Sequence, residues 1–122
     1  MNKILVVDGN PDVQSSLNSH LTSHGYAVLL AGNGYEAVTA VQIEQPALIL
    51  MNMNLPKLDG WMAIEQLKAS VYTKEIPIIA LIEPNESNDA QRSMTVGCDG
   101  YVAKPIATAK LLSQITMVLH PD

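Results

Sequence analysis

Residues 4–8 read Ile-Leu-Val-Val-Asp, and Gly9-Asn10-Pro11 follow directly. Four consecutive apolar residues, mostly β-branched, suit a strand buried on both faces, and the acid and turn residues end it. Runs of the same kind recur at Ala27–Leu30, Leu48–Met51, Ile78–Ile82 and Tyr101–Ala103. Between them, apolar residues return at helical spacing: Val13, Leu17 and Leu21; Tyr35, Val38 and Val41; Trp61, Ile64 and Leu67; Ala90 and Met94; Leu111, Ile115 and Val118, with Leu112 and Leu119. Strand and helix therefore alternate five times. Strands without polar alternation imply helices on both faces of a parallel sheet, so the chain reads as α/β, a (βα)5 unit.

Punctuation supports the helix starts. Asn10-Pro11, Asn33 and Ser87 stand where N-caps or first-turn prolines belong, and Gly25, Gly97 and Gly100 close or follow helices. The fourth helix has the thinnest stripe and follows the polar stretch Glu83-Pro84-Asn85-Glu86, which predicts the most mobile element.

With 122 residues, 48% of them hydrophobic, the chain suits one domain spanning 1–122. A core of that size needs no disulfide, and the lone Cys98 offers none, which fits a reducing cytoplasm. The net charge is −5, and Lys3, Lys57, Lys68, Lys74, Arg92, Lys104 and Lys110 are scattered. Nucleic acid is gripped by clustered positive charge, so direct binding to it is not expected. The start, with four apolar residues before an aspartate, is too short for a signal peptide or a membrane span. A cytoplasmic protein with no membrane contact is expected.

In open parallel sheets the site lies beyond the carboxyl ends of the strands. Those ends carry Asp8-Gly9, Asn52-Met53-Asn54, Ile82 and Lys104-Pro105. No Gly-rich phosphate loop accompanies them.

At these residues the chain resembles the receiver domains of bacterial two-component response regulators, of the chemotaxis-regulator-like kind. The resemblance rests on Ile-Leu-Val-Val-Asp at 4–8, Asn33-Gly34-Tyr35-Glu36-Ala37, the run from Met53 to Trp61, Ile76-Pro77-Ile78-Ile79-Ala80-Leu81, and the run from Gly97 to Pro105, and it covers essentially the whole chain. It implies a doubly wound, flavodoxin-like fold with strand order 2-1-3-4-5. It also implies a phosphorelay role with a histidine kinase, phosphorelay protein or output domain as partner. In the family an aspartate after the third strand accepts a phosphoryl group, and two acids after the first strand hold magnesium. A hydroxyl residue that ends the fourth strand bonds the phosphoryl group, and a Lys-Pro pair follows the fifth.

Here the acceptor position is Asn52, the acid pair is reduced to Asp8 followed by Gly9, and the hydroxyl position is Ile82; Lys104 remains. A neutral amide cannot form an acyl phosphate. Magnesium prefers one or two carboxylates in octahedral oxygen geometry, and Asp8, the Asn52 amide and an Asn54 backbone carbonyl are a poor set, so its binding is expected to be weak or absent. Ile82 offers a phosphoryl group no hydrogen bond. With no catalytic residue and no cofactor expected, the chain reads as a degenerate receiver, not an enzyme, that works by protein–protein interaction.

Asp8 and Lys104 are the two charges left, and the expectation is that they pair and keep the cluster closed without metal or phosphate. By the resemblance, Tyr101, Arg92, Lys110 and Leu111 form the output face. The bulk of Ile82 favours an outward Tyr101. Met51, Met53, Met62, Met94 and Met117 are expected to fill gaps in a core without phenylalanine, Trp61 to pack, and His20 and His24 to be surface residues. Two other readings stay open. One is a phospho-accepting regulator whose acceptor was replaced by Asn52; the other is a flavodoxin-like flavin carrier, against which stands the absence of a Ser/Thr-rich loop after the first strand.

Overall fold

A computed structural model describes residues 2–84 and 88–120. Strands β1 (Lys3–Val7), β2 (Ala27–Ala31), β3 (Leu48–Asn52), β4 (Ile78–Ile82) and β5 (Gly100–Ala103) alternate with helices α1 (Pro11–Ser23), α2 (Gly34–Glu44), α3 (Gly60–Ala69), α4 (Asp89–Val96) and α5 (Thr108–Leu119). All strand pairs are parallel, in the order β2-β1-β3-β4-β5. This is the flavodoxin-like α/β arrangement, with the five apolar runs as its strands.

Successive strand residues point to opposite faces, so the sheet feeds two cores. Leu5, Val7, Ile49 and Met51 pack with Val41 of α2 and Ile64 and Leu67 of α3. Ile4, Val6, Leu48 and Leu50 pack with Leu17 and Leu21 of α1 and Leu111 and Ile115 of α5. Each such side chain contributes about 1.5–3 kcal/mol by leaving water. Uniform burial holds in β3 and β4 but fails at the edges: Leu30 of β2 is exposed, and β5 alternates, with Tyr101 and Ala103 outward. An edge strand is only partly covered by helices, so one face of it meets solvent.

The helix stripes need the same correction in two places. Tyr35 points to solvent while Ala37 and Val41 carry the buried face of α2. In α4 the buried residue is Ser93, its hydroxyl bonded to the Ala90 carbonyl at 2.7 Å, and Met94 is exposed. Met51 and Met53 fill the core, whereas Met62 and Met117 are exposed like Met94. Cys98 is buried, and burial pushes its thiol up to about 12, with Lys68 opposing the shift.

Caps set the helix starts. Asn10 Oδ1 accepts from Asp12 N at 2.8 Å, and Asn33 Oδ1 accepts from Glu36 N at 2.9 Å. Ser87 lies outside the described residues; the N-cap position of α4 is Asn88, whose side chain makes no capping bond. Gly25 and Gly97 follow α1 and α4 with φ of +89° and +109°, a conformation costly for residues with a Cβ. No helix among the described residues is long and apolar enough to cross a membrane.

Candidate functional site

Because β1 and β3 are neighbours, with Val7 beside Met51, the residues Asp8 and Asn52 leave the sheet together at its carboxyl edge. Asp8 is only 2% exposed and Asn52 5%. Asn52 Nδ2 donates to Asp8 Oδ2 at 3.1 Å, and the Asn10 backbone N–H donates to Asp8 Oδ1 at 2.9 Å. Asn52 Oδ1 in turn accepts the Asn54 N–H at 3.1 Å. Both oxygens of this buried carboxylate are thus engaged by N–H donors, and the amide at 52 is used at both ends. A buried carboxylate held this way avoids most of the desolvation cost that an unpartnered one carries.

Glycines shape the ground beneath this pair. A Cβ on Gly60, the first residue of α3, would lie 2.6 Å from Met53 Cα and 2.7 Å from the Asn52 carbonyl oxygen. Asp59 caps that helix, its Oδ1 accepting from Met62 N at 2.9 Å. The α3 N-terminus is therefore pressed onto the end of β3. On the other side, a Cβ on Gly9 would stand 3.3 Å from Pro56 Cδ and 3.4 Å from the Gly32 carbonyl oxygen, so the β3–α3 turn lies tight against the β1–α1 turn.

The β4–β5 half of the rim is built differently. Ile82 pairs in register with Ala103, is 5% exposed and belongs to the apolar core. Glu83 and Lys104 come next on the two strands. Lys104 Nζ meets Glu83 Oε1 at 3.2 Å, with the side chains 25% and 40% exposed. This corrects the expected Asp8–Lys104 pair: no ion pair joins those two. Asp8 is satisfied by the amide on its own side of the rim, and the strand register brings Glu83 to the lysine first. The sheet order makes 83 and 104 neighbours, so Glu83 was within reach of sequence reasoning and was overlooked.

The four output-face residues separate. Tyr101 is 43% exposed and, with Lys110, lines a shallow groove of about 420 Å³ along β5 and α5. Leu111 is 1% exposed and packs in the core, so it offers a partner nothing. Arg92 lies on α4 with its guanidinium 4.1 Å from the centre of the Trp61 ring, a cation–π contact between α4 and α3 that sequence spacing does not reveal. His20 and His24 are exposed, and His24 Nδ1 is 2.8 Å from the His20 carbonyl oxygen. Among the described residues no three His, Cys, Asp or Glu side chains converge as metal ligands.

Known proteins share this fold. The family model described as response regulator receiver domain matches residues 4–116. Protein PilH of Pseudomonas aeruginosa is 34% identical over 119 residues, covering 98% of each chain. A probable transcriptional regulator, ycf27, of Pyropia yezoensis is 36% identical over 118 residues, which are 97% of this chain and 47% of the relative. The chain thus spans about half the length of several curated relatives it matches. Among solved structures, the receiver domain of sensor histidine kinase PA1611 from Pseudomonas aeruginosa, with magnesium coordinated in its active-site cleft, superposes with a TM-score of 0.89 at 32% identity over 97% of both chains. Chemotaxis response regulator CheY4 of Vibrio cholerae gives 0.90 at 27% identity over 98% of this chain and 99% of its own. Fold and family model agree, and the chain belongs to the response regulator receiver domain family of two-component signalling.

Proposed function

We propose that this receiver domain accepts no phosphoryl group at position 52 and signals by binding another protein. The observation that carries the reading is Asn52 itself: at the acceptor position stands a buried, neutral amide whose nitrogen is bonded to Asp8 and whose oxygen is bonded to Asn54. An amide oxygen in that state is no nucleophile toward phosphorus. Two further features support it. Ile82 puts a branched alkyl group where the family has a hydroxyl, and Lys104 is neutralised by Glu83.

The residues present do not fit a magnesium ion. Of positions 8, 9 and 52, Asp8 is the one carboxylate and both of its oxygens already accept N–H groups, Gly9 brings no ligand, the Asn52 amide oxygen accepts the Asn54 N–H, and Glu83 is paired with Lys104. Octahedral coordination by hard oxygens finds too little here. No catalytic step is assigned, and we read the chain as a non-enzymatic, cytoplasmic module. Its partner is a histidine kinase, a phosphorelay protein or an output domain, met through the exposed Tyr101 and Lys110 face.

Incubation with magnesium and acetyl phosphate, followed by intact-mass measurement, tests the reading on the wild type and on Asn52→Asp. The expected result is no phospho-adduct on the wild type and at most a trace on the variant, because Gly9 and Ile82 remain. Stoichiometric modification of the variant would return the reading of an ordinary regulator with a replaced acceptor. Stable transfer to the wild type from a cognate kinase would overturn the proposal outright.

A further inference from the structure

We infer that the Asn52 amide does in this chain the structural work that a bound cation does in a carboxylate-rich version of the site: it ties the β1–α1 turn to the β3–α3 turn. The tie is a continuous chain of hydrogen bonds, from the Asn10 N–H to Asp8, from Asp8 to the Asn52 side-chain N–H, and from the Asn52 oxygen to the Asn54 N–H. Three of the groups in it belong to side chains at most 5% exposed, where water does not compete. The asparagine side chain supplies both a donor for Asp8 and, two bonds away, an acceptor for Asn54. An aspartate here would be acceptor-only once ionised, and it would set a second negative charge against Asp8.

The rest of the rim has closed around this tie. Pro56 packs on Gly9 closely enough that a Cβ at position 9 would need a few tenths of an ångström of give from its neighbours. Gly60 holds α3 against the Asn52 carbonyl from the other side. The wild type therefore has no need of a divalent cation to stay folded at this edge, and Asn52→Asp acquires one. This deepens the proposed function, and its test reads stability instead of phosphate transfer, so the two fail separately.

Thermal unfolding at neutral pH, with and without millimolar magnesium and with potassium chloride matching ionic strength, is the experiment. Wild-type Tm is expected to be the same in both buffers. Asn52→Asp is expected to melt lower by about 5 °C or more without magnesium, a shift that corresponds to losing one buried hydrogen bond in a domain of this size, and magnesium should narrow that gap. Asn52→Ala, which removes the donor without adding charge, should melt low in both buffers. Three results would each overturn the inference: a saturable rise in wild-type Tm with magnesium, an Asn52→Ala protein as stable as the wild type, or a gap in Asn52→Asp that magnesium leaves unchanged.

Discussion

The two halves of the sheet's carboxyl rim satisfy their charges by opposite means. On the β1–β3 side a carboxylate 2% exposed is held by N–H groups in fixed positions, with glycines pressing the turns onto it. On the β4–β5 side a lysine and a glutamate meet at 3.2 Å with their side chains 25% and 40% exposed. In the first half geometry does the stabilising and solvent is excluded; in the second, solvent screens both charges and the pair contributes at most about 1 kcal/mol. One rim can thus be rigid where its polar groups are buried and adjustable where they are wet.

That contrast is open to direct test. Gly60→Ala should be the most damaging change, since its Cβ has to displace backbone of Met53 and Asn52; urea denaturation is expected to show a loss of about 3 kcal/mol. A loss below about 1 kcal/mol would mean that the β3 half yields as easily as its neighbour. Asp8→Ala comes next. It strands the Asn10 and Asn52 N–H groups, and about 2 kcal/mol should disappear in the same assay. Glu83→Gln belongs at the bottom of the scale: it should move stability by no more than about 0.5 kcal/mol, and raising the salt concentration should erase even that difference. An effect of Glu83→Gln equal to that of Asp8→Ala would dissolve the distinction between the halves.

Local signals carried the fold. Five apolar runs became five strands within one residue at either end, and the Asn10 and Asn33 caps act where the sequence places them. What local reading misjudged was lateral exposure. Tyr35, Met62, Met94 and Met117 are apolar by composition, yet they sit where no second layer covers their helices. At the site, the residue types at 8, 52, 82 and 104 were legible, but the pairing of Lys104 was not drawn. Charge counting treats Asp8 and Lys104 as the only candidates, whereas register between adjacent strands sets Glu83 beside the lysine and the Asn52 amide takes the aspartate. Asp59 as the α3 cap and Arg92 over Trp61 went unread for a similar reason. The first lies amid a loop with several polar candidates, and the second joins residues far apart in the chain.

The stacked Arg92 has an optical consequence. Trp61 is the chain's single tryptophan, so all indole fluorescence originates from one ring, and a guanidinium on α4 sits over that ring. Intrinsic emission therefore reports the separation of α3 from α4 without any attached dye, and a partner that shifts α4 announces itself in the spectrum of the unmodified protein.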